Sequence, residues 1–464
     1  MNKWILGVSL TLLAGLTSNV FADAISDVEL QLATQQLPAA DAALDQGNYQ
    51  KALAIYKHFA DEGITEAEYQ VAWMYQHGYG VDKNDDAAAA WYMKASGVLP
   101  AAQYAMGTLY YFGVGIEQGL APAVTFYKRA AVAKNSRAQY MMGFLSENGQ
   151  GLAQDPSVAI DWYTQAANQG LPNAQYNLGY LYYTGQNVSK DLVKAASWFN
   201  MAAQQGFAKA EAMMGVMYSQ GLGGITVDKK QAVHWYNAAA EQNVPEAEYN
   251  LGVSYYNGNG APQDALLALS WVKKAANQGL AIAQYLYGYM VFNGVGMPAD
   301  KQSGMEWYAK SAAQNLPDAQ FALGYLYHNG LGTQKNDIQA LAYFQAAAKQ
   351  GLANAQYMTG LFFQQGLGTP SDQIAAANWY SLAAQQGMDN AQLLLGVMYA
   401  EGQGIKRDDR EAYAWLDLAS TSNNNQIRGA AIKMREEVAK AMKPDDIAAA
   451  KDLSKRYYSK YAEK

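Results

Sequence analysis

The sequence predicts an all-α fold, a right-handed α/α superhelical solenoid of about ten to eleven helix-pair repeats. Three observations indicate it. An alanine followed eleven residues later by a glycine occurs ten times, at spacings of 35 to 37 residues. Apolar and aromatic residues recur every three to four positions after each alanine, which is the period of a helix. Hydrophobic residues make up 50% of the chain, whereas cysteine is absent, so stability must come from buried surface rather than disulfides.

The repeated alanine and glycine define ten copies of one unit. The alanines are Ala67, Ala102, Ala138, Ala174, Ala210, Ala247, Ala283, Ala319, Ala355 and Ala391. The glycines are Gly78, Gly113, Gly149, Gly185, Gly221, Gly258, Gly294, Gly330, Gly366 and Gly402. Because the spacing is nearly uniform, the copies are predicted to form one continuous array.

Each copy is predicted to begin with one helix. In the copy that starts at Ala174, aromatic rings fall at Tyr176 and Tyr182, and a glycine falls at Gly179. A glycine inside a helix costs about 1 kcal/mol relative to alanine. Because this glycine recurs in nine copies, we expect it to let a second helix approach closely.

A Gly-x-Gly segment, such as Gly330 and Gly332, is predicted to end the first helix and turn the chain back. A phosphate-binding loop is disfavoured because no strand precedes this segment and no P-loop lysine follows it. Asp or Asn is expected to cap the second helix, as at Asp191 or Asp337.

The second helix carries an alanine and then an aromatic pair, such as Ala159 with Trp162 and Tyr163, and closes with Ala-Ala-x-Gln-Gly. Eight of the ten tryptophans in the chain occupy the first position of this pair. A ring that recurs so strictly indicates architecture, so we expect it to fill the space between stacked helix pairs.

The whole unit resembles the Sel1-like repeat, a relative of the tetratricopeptide repeat. The resemblance covers ten repeats in residues 64–422. Residues 23–63 are predicted to form N-terminal helices with a degenerate tetratricopeptide-like half repeat, and residues 423–464 to form capping helices. For an exported bacterial member, the resemblance implies a protein-binding scaffold of the cell envelope rather than an enzyme.

Residues 1–22 have the layout of a Sec-type signal peptide. Lys3 precedes an apolar stretch from Trp4 to Leu16, and Val20-Phe21-Ala22 resembles a cleavage site. This predicts a periplasmic or secreted protein with no transmembrane segment after cleavage; an uncleaved membrane anchor is the alternative. The net charge of −7 and the lack of a basic patch argue against nucleic acid as partner.

No arrangement of residues predicts catalysis, a metal site or a cofactor. The four histidines, His58, His77, His234 and His328, lie in different copies without metal-ligand spacing, and each is expected to be an exposed helix residue. Some cysteine-rich relatives are associated with weak β-lactam hydrolysis. Their paired cysteines are absent here, so hydrolysis is the less favoured alternative.

The candidate binding surface is an uneven strip of Tyr, Phe, Asn and His on the exposed side of the first helices. It occupies the sixth, ninth and tenth positions after the repeated alanine, which should lie on the concave face. The predicted partner-binding residues are Tyr180, Tyr183, Tyr256, Tyr289, Phe292, Asn293, Tyr325, His328 and Asn329. Such residues suit a protein of the cell envelope, and envelope glycan or peptidoglycan is the alternative. A third interpretation is that these tyrosines only support packing.

Overall fold

The computed structural model describes residues 27–461, and every regular element in that range is an α-helix. The predicted signal peptide, residues 1–22, lies outside the described residues. The described residues divide into two compact units, one up to Val227 and one from Asp228 onward. No helix in the described range is both long and apolar enough to span a membrane.

The first unit contains eleven described helices. They are α1 (Asp27–Asp45), α2 (Tyr49–Asp61), α3 (Thr65–His77), α4 (Asp85–Ala95), α5 (Pro100–Phe112), α6 (Leu120–Val132), α7 (Ser136–Asn148), α8 (Pro156–Asn168), α9 (Pro172–Thr184), α10 (Leu192–Ala203) and α11 (Ala208–Gln220). Each helix packs against the next along the chain, so the unit is a series of helix pairs.

The second unit contains thirteen described helices. They are α12 (Lys229–Glu241), α13 (Pro245–Asn257), α14 (Ala265–Asn277), α15 (Ala281–Asn293), α16 (Lys301–Ala313), α17 (Pro317–Asn329), α18 (Asp337–Lys349), α19 (Ala353–Gln365), α20 (Gln373–Ala384), α21 (Asp389–Glu401), α22 (Asp409–Ala419), α23 (Asn425–Lys440) and α24 (Pro444–Tyr461). The last helix packs on α22. The predicted all-α fold of helix-pair repeats is confirmed.

The helix ends follow from the predicted caps, with one correction. Gly330 ends α17 with a left-handed φ of 65°, and Asp191 caps α10 by accepting hydrogen bonds from the backbone N–H groups of Val193 and Lys194. The predicted cap at Asp337 is wrong by one residue. Asn336 caps α18, and Asp337 is the first residue of that helix.

A ring of the second helix lies directly on the glycine of the first helix. A Cβ atom on Gly179 would lie 2.7 Å from Cδ1 of Phe199, which is fully buried. The close approach expected at this glycine is therefore made by a side chain of the second helix. The covering ring comes from the second position of the aromatic pair, such as Tyr163 over Gly143.

The first ring of the pair has the role expected for it at the joint between repeats. Trp162 is half-buried and packs against the core cluster that contains Tyr127 of α6 and Met142 of α7. The two rings of the pair thus have different roles. The second ring fills the interior of its own repeat, and the first ring contacts the preceding repeat.

The second glycine of the Gly-x-Gly segment fits the loop against the preceding repeat. A Cβ atom on Gly404 would lie 2.0 Å from the backbone oxygen of Gln373, at the start of α20. The same approach joins Gly368 to the backbone oxygen of Asp337, at 2.4 Å. The segment therefore turns the chain and also sets the distance between neighbouring repeats at this end of the helix pairs.

Buried glutamine side chains join the repeats at the opposite end. The residue after the repeated alanine is Gln or Glu in all ten copies, which the sequence analysis did not interpret. Gln284 donates from Nε2 to the backbone oxygen of Ala276 in the preceding repeat at 3.2 Å. Gln314, at the end of the same repeat, donates from its own Nε2 to Oε1 of Gln284 at 2.8 Å. Each buried amide is thus both donor and acceptor, as a buried polar group requires.

This amide chain recurs in both units. Other buried glutamines that donate to the preceding repeat are Gln103, Gln139, Gln175, Gln320, Gln356 and Gln392. Glutamines that donate to them from the end of the same repeat are Gln169, Gln205, Gln350 and Gln386.

Several joints depart from the glutamine pattern, among them those at Gln103 and Glu248. Oε1 of Gln103 is buried without a hydrogen-bond partner among the described residues, because Ala133 occupies the position from which other repeats supply a glutamine. In another repeat Glu248 replaces the buried glutamine and accepts a hydrogen bond from Gln278 at 2.7 Å. Burial raises the pKa of Glu248, although the Gln278 hydrogen bond and the charge of Lys274 lower it in part.

Gly404→Ala should destabilise the protein more than Gly387→Ala. Both glycines have positive φ, 67° and 82°. A Cβ atom on Gly387 would meet nothing within 4 Å, whereas one on Gly404 would collide with the preceding repeat. We expect losses of about 1 kcal/mol for Gly387→Ala and about 3 kcal/mol for Gly404→Ala. Thermal unfolding followed by circular dichroism checks this; equal losses would exclude the close approach.

Ala133→Gln should stabilise the protein by about 1 kcal/mol, because the new amide can donate to the unpaired Oε1 of Gln103. Ala133→Glu is the matched control, since an ionised carboxylate has the same reach but no donor. The midpoint of thermal unfolding should rise for the glutamine variant only. A rise for both variants would mean that helix propensity, and not the joint, is responsible.

Glu248→Gln should stabilise the protein at about pH 7 and much less at about pH 4. Because the folded state raises the pKa of Glu248, the ionised carboxylate disfavours folding at neutral pH, and protonation removes that effect. We expect a gain of about 1 kcal/mol at neutral pH. Unfolding midpoints measured across this range check it. The exposed neighbour Glu246 gives the control variant Glu246→Gln, which should show no comparable pH dependence.

Candidate functional site

In the first unit the predicted strip consists of Tyr180 and Tyr183 on α9. Tyr180 is 44% exposed. Tyr183 is half-buried, and its ring lies 6.3 Å from that of Phe199. The ammonium of Lys190 lies 6.0 Å from the centre of the Tyr183 ring. Of the two tyrosines, Tyr180 is therefore the more accessible to a partner.

In the second unit three tyrosines of the strip lie on successive first helices. Tyr289 on α15 and Tyr325 on α17 are 39% and 50% exposed. Tyr256 on α13 is half-buried, and its hydroxyl is hydrogen-bonded to that of Tyr289. This hydrogen bond, with a smaller contribution from burial, raises the pKa of Tyr256. We name Tyr256, Tyr289 and Tyr325 the tyrosine face.

Phe292 contributes mainly to packing. It is half-buried in the core cluster of its repeat, with its ring 6.4 Å from that of Tyr308. Gly304 on α16 lies against it, since a Cβ atom there would be 2.6 Å from Cβ of Phe292. The side chain therefore offers less surface to a partner than the sequence position suggested.

Asn293 and Asn329 are exposed but already use their amide groups. Each donates from Nδ2 to the backbone oxygen four residues earlier, at Tyr289 and Tyr325, with distances of 2.8 Å. These bonds hold each amide against the C-terminal end of its own helix, α15 or α17. A partner can still approach the acceptor side of each amide.

His328 differs from the expectation that it is simply an exposed helix residue. It is half-buried, its Nδ1 lies 2.6 Å from Oδ1 of Asp337, and its ring meets that of Phe362 at 5.0 Å. This position joins α17 to α18 and to the next repeat. The other three histidines are exposed as expected, namely His58, His77 and His234.

The structure adds residues beside the tyrosine face that the sequence analysis assigned to packing or did not name. The ring of Tyr285 packs on that of Tyr308 at 5.4 Å, as expected for packing. Burial raises the pKa of Tyr285, and Asp318 and Tyr289 raise it further. The exposed carboxylate of Asp318 therefore lies close enough to disfavour ionisation of the Tyr285 hydroxyl.

Charge is distributed unequally between the two helices of each repeat in the second unit. The first helices α13, α15, α17, α19 and α21 contain no Lys or Arg, whereas the second helices α12, α14, α16, α18 and α22 each contain at least one; the second helix α20 is the exception, with none. Glu246, Asp318 and Glu401 are exposed on the first helices. This segregation was readable from the sequence once the helices were assigned, and it makes the tyrosine face neutral to acidic.

Within the described residues, no group of three or more His, Asp or Glu side chains is placed to hold a metal ion. The tyrosine face has neither an activated nucleophile nor an acid and base pair. Its chemistry is that of contact, through ring faces, hydroxyl groups and amide oxygens.

A family model for the Sel1 repeat matches ten segments of the chain. They are residues 65–96, 100–131, 136–171, 172–207, 208–244, 245–280, 281–316, 317–352, 353–388 and 389–424. Each segment corresponds to one helix pair of the structure. Among curated proteins, no sequence matches this chain.

Two solved structures are similar over most of the chain. A protective antigen present in uropathogenic Escherichia coli strains, displaying an SLR fold, is 31% identical, with a TM-score of 0.79 over 94% of this chain and 95% of that chain. A Sel1 repeat protein from Oxalobacter formigenes is 28% identical, with a TM-score of 0.51 over 66% of this chain and 89% of that chain. The ten matched segments and these structures agree on one assignment: the chain belongs to the Sel1 repeat family.

Proposed function

We propose that the protein is a scaffold or adaptor of the bacterial cell envelope that binds a partner protein through the exposed side of its first helices. The Sel1 repeat fold generally serves protein interaction and is generally non-enzymatic. The observation that carries the proposal is the exposure of Tyr289 and Tyr325 at the same repeat position on successive helices.

Repeat packing does not require these tyrosines. The same position holds Val253 in the preceding repeat, and Leu361 and Val397 in the following two. A position that accepts Val, Leu and Tyr within one array is not set by the core. Tyrosine is enriched at protein interfaces because it brings a large, rigid contact surface with a polar end.

The proposed location rests on residues 1–22, whose pattern is that of a Sec-type signal peptide. The absence of cysteine is compatible with an oxidising compartment, since no thiol is exposed to oxidation there. Periplasm and extracellular space both agree with this pattern.

Binding of envelope glycan is the second candidate, because sugar rings also stack on exposed tyrosine rings. The tyrosine face offers ring surface and hydroxyl groups for such stacking. Protein and glycan can be separated by the same experiment.

Crosslinking and affinity purification of the tagged full-length protein from its native cells should recover one or a few partner proteins. The double variant Tyr289→Ala, Tyr325→Ala should reduce that recovery about tenfold, because central tyrosines carry a large share of interface energy. Tyr458→Ala is the control, since Tyr458 is 62% exposed on α24, which packs on α22 and not on the helices that carry Tyr289 and Tyr325.

Equal recovery by the double variant and by Tyr458→Ala would move the interface off the tyrosine face. Recovery of cell-wall glycan without protein would favour the second candidate. Fractionation of the same cells checks the location, and finding the protein in the cytoplasm would contradict an envelope role.

A further inference from the structure

We propose that the tyrosine face binds an extended, positively charged segment of the partner protein, with Lys or Arg side chains seated over the rings of Tyr289 and Tyr325. This inference rests on the proposed scaffold function and names the chemistry of its partner. Three features of the second unit carry it: uncovered rings, the distribution of charge, and the fixed position of Tyr289.

The rings of the tyrosine face lack the cations that cover comparable rings elsewhere in the chain. On the second helices, the ammonium of Lys274 lies 3.8 Å from the centre of a Trp271 ring, and that of Lys310 lies 3.7 Å from one of Trp307. In the part of the chain that the structure describes, no Lys or Arg lies over Tyr289 or Tyr325. Exposed aromatic faces attract cations through their quadrupole, and here a partner must supply the cation.

The distribution of charge around the tyrosine face also favours a cationic partner segment. The first helices of the second unit carry no Lys or Arg, so no positive group on these helices competes with or repels an incoming cation. Asp318 is exposed at the start of α17, and Glu246 is exposed at the start of α13. A cationic segment would gain favourable electrostatic energy at both positions, whereas an acidic segment or a nucleic acid would find no counter-charge on these helices.

Contacts with neighbouring groups hold Tyr289 in place before binding. Its hydroxyl is hydrogen-bonded to that of Tyr256 on the preceding first helix, and this contact restrains the ring. A ring that is already ordered loses little conformational entropy when a ligand settles on it. The ring also stays 39% exposed, so a contact surface remains.

An extended segment suits this surface better than a compact domain. The tyrosines recur once per repeat on successive helices, so one continuous peptide can meet several of them in turn. Asn293 and Asn329 donate to their own helices and keep a free acceptor side that can receive backbone N–H groups of such a peptide. Side chains that alternate along the peptide would then meet the rings and the exposed carboxylates.

The test uses fluorescence anisotropy with the full-length protein and three labelled nine-residue peptides. One alternates Arg with small apolar residues, the second replaces each Arg by the neutral isostere citrulline, and the third replaces each Arg by Glu. We expect the Arg peptide to bind, the citrulline peptide to bind about tenfold more weakly, and the Glu peptide not to bind.

Variants of the protein locate the site. Tyr289→Ala with Tyr325→Ala should weaken the Arg peptide about tenfold, while Tyr289→Phe with Tyr325→Phe should retain most of the affinity because the ring face remains. Tyr325→Lys should abolish binding by placing a cation on the face itself. Tyr458→Ala should bind like the unchanged protein, and circular dichroism of each variant confirms that it is folded.

Equal affinity for the Arg and citrulline peptides, or binding of the Arg peptide that survives Tyr325→Lys, would overturn the inference. The two proposals fail separately. If affinity purification recovers a partner through Tyr289 and Tyr325 but the Arg peptide does not compete for it, the scaffold stands and the cationic segment is wrong. If no partner depends on these tyrosines, both proposals are wrong.

Discussion

The contact between a helical glycine and the side chain above it, in most repeats an aromatic ring, determines the geometry of the helix pair. Where Phe199 covers Gly179, any larger residue at the glycine would push the second helix away. The cost of glycine within a helix is offset because the ring is fully buried there. Once the two helices are held at this distance, the first ring of the aromatic pair faces the preceding repeat, and the exposed side of the first helix is set as well.

Neighbouring repeats are then joined at both ends of the helix pairs by groups of the main chain. At one end a glycine such as Gly404 lies against the backbone oxygen of Gln373, and at the other a buried glutamine such as Gln284 donates to the carbonyl of Ala276. Both devices connect a repeat only to its neighbour. The positions left over on the first helices are therefore free to vary, and Tyr289 and Tyr325 occupy two of them.

Much of this was predictable because it recurs. The repeat length, the helix pairs, the glycine inside the first helix and the Gly-x-Gly turn are each visible as a position that barely changes. The role of the buried glutamine was not predicted, because a polar residue at the edge of a helical pattern looks like a surface residue until the next repeat is placed against it. Neighbouring Asn336 and Asp337 can both cap a helix, so the cap was assigned one residue late.

The candidate site was predictable only as a set of variable positions. Exposure separates Tyr289 and Tyr325 from Phe292, whose ring turns toward Tyr308, and this depends on Gly304 on the facing helix. Likewise, the pairing of His328 with Asp337 depends on the loop between them.

The hydrogen bonds of the buried glutamine side chains at the joints between repeats have one more consequence. A carboxamide is uncharged and neither gains nor loses a proton at physiological pH. Salt screens interactions between charges, so it has little effect on a hydrogen bond between two carboxamides. Where both members of a joint are glutamines, pH and ionic strength therefore do not change the packing of one repeat on the next. At the few glutamate positions, such as Glu248, pH and ionic strength can change that packing.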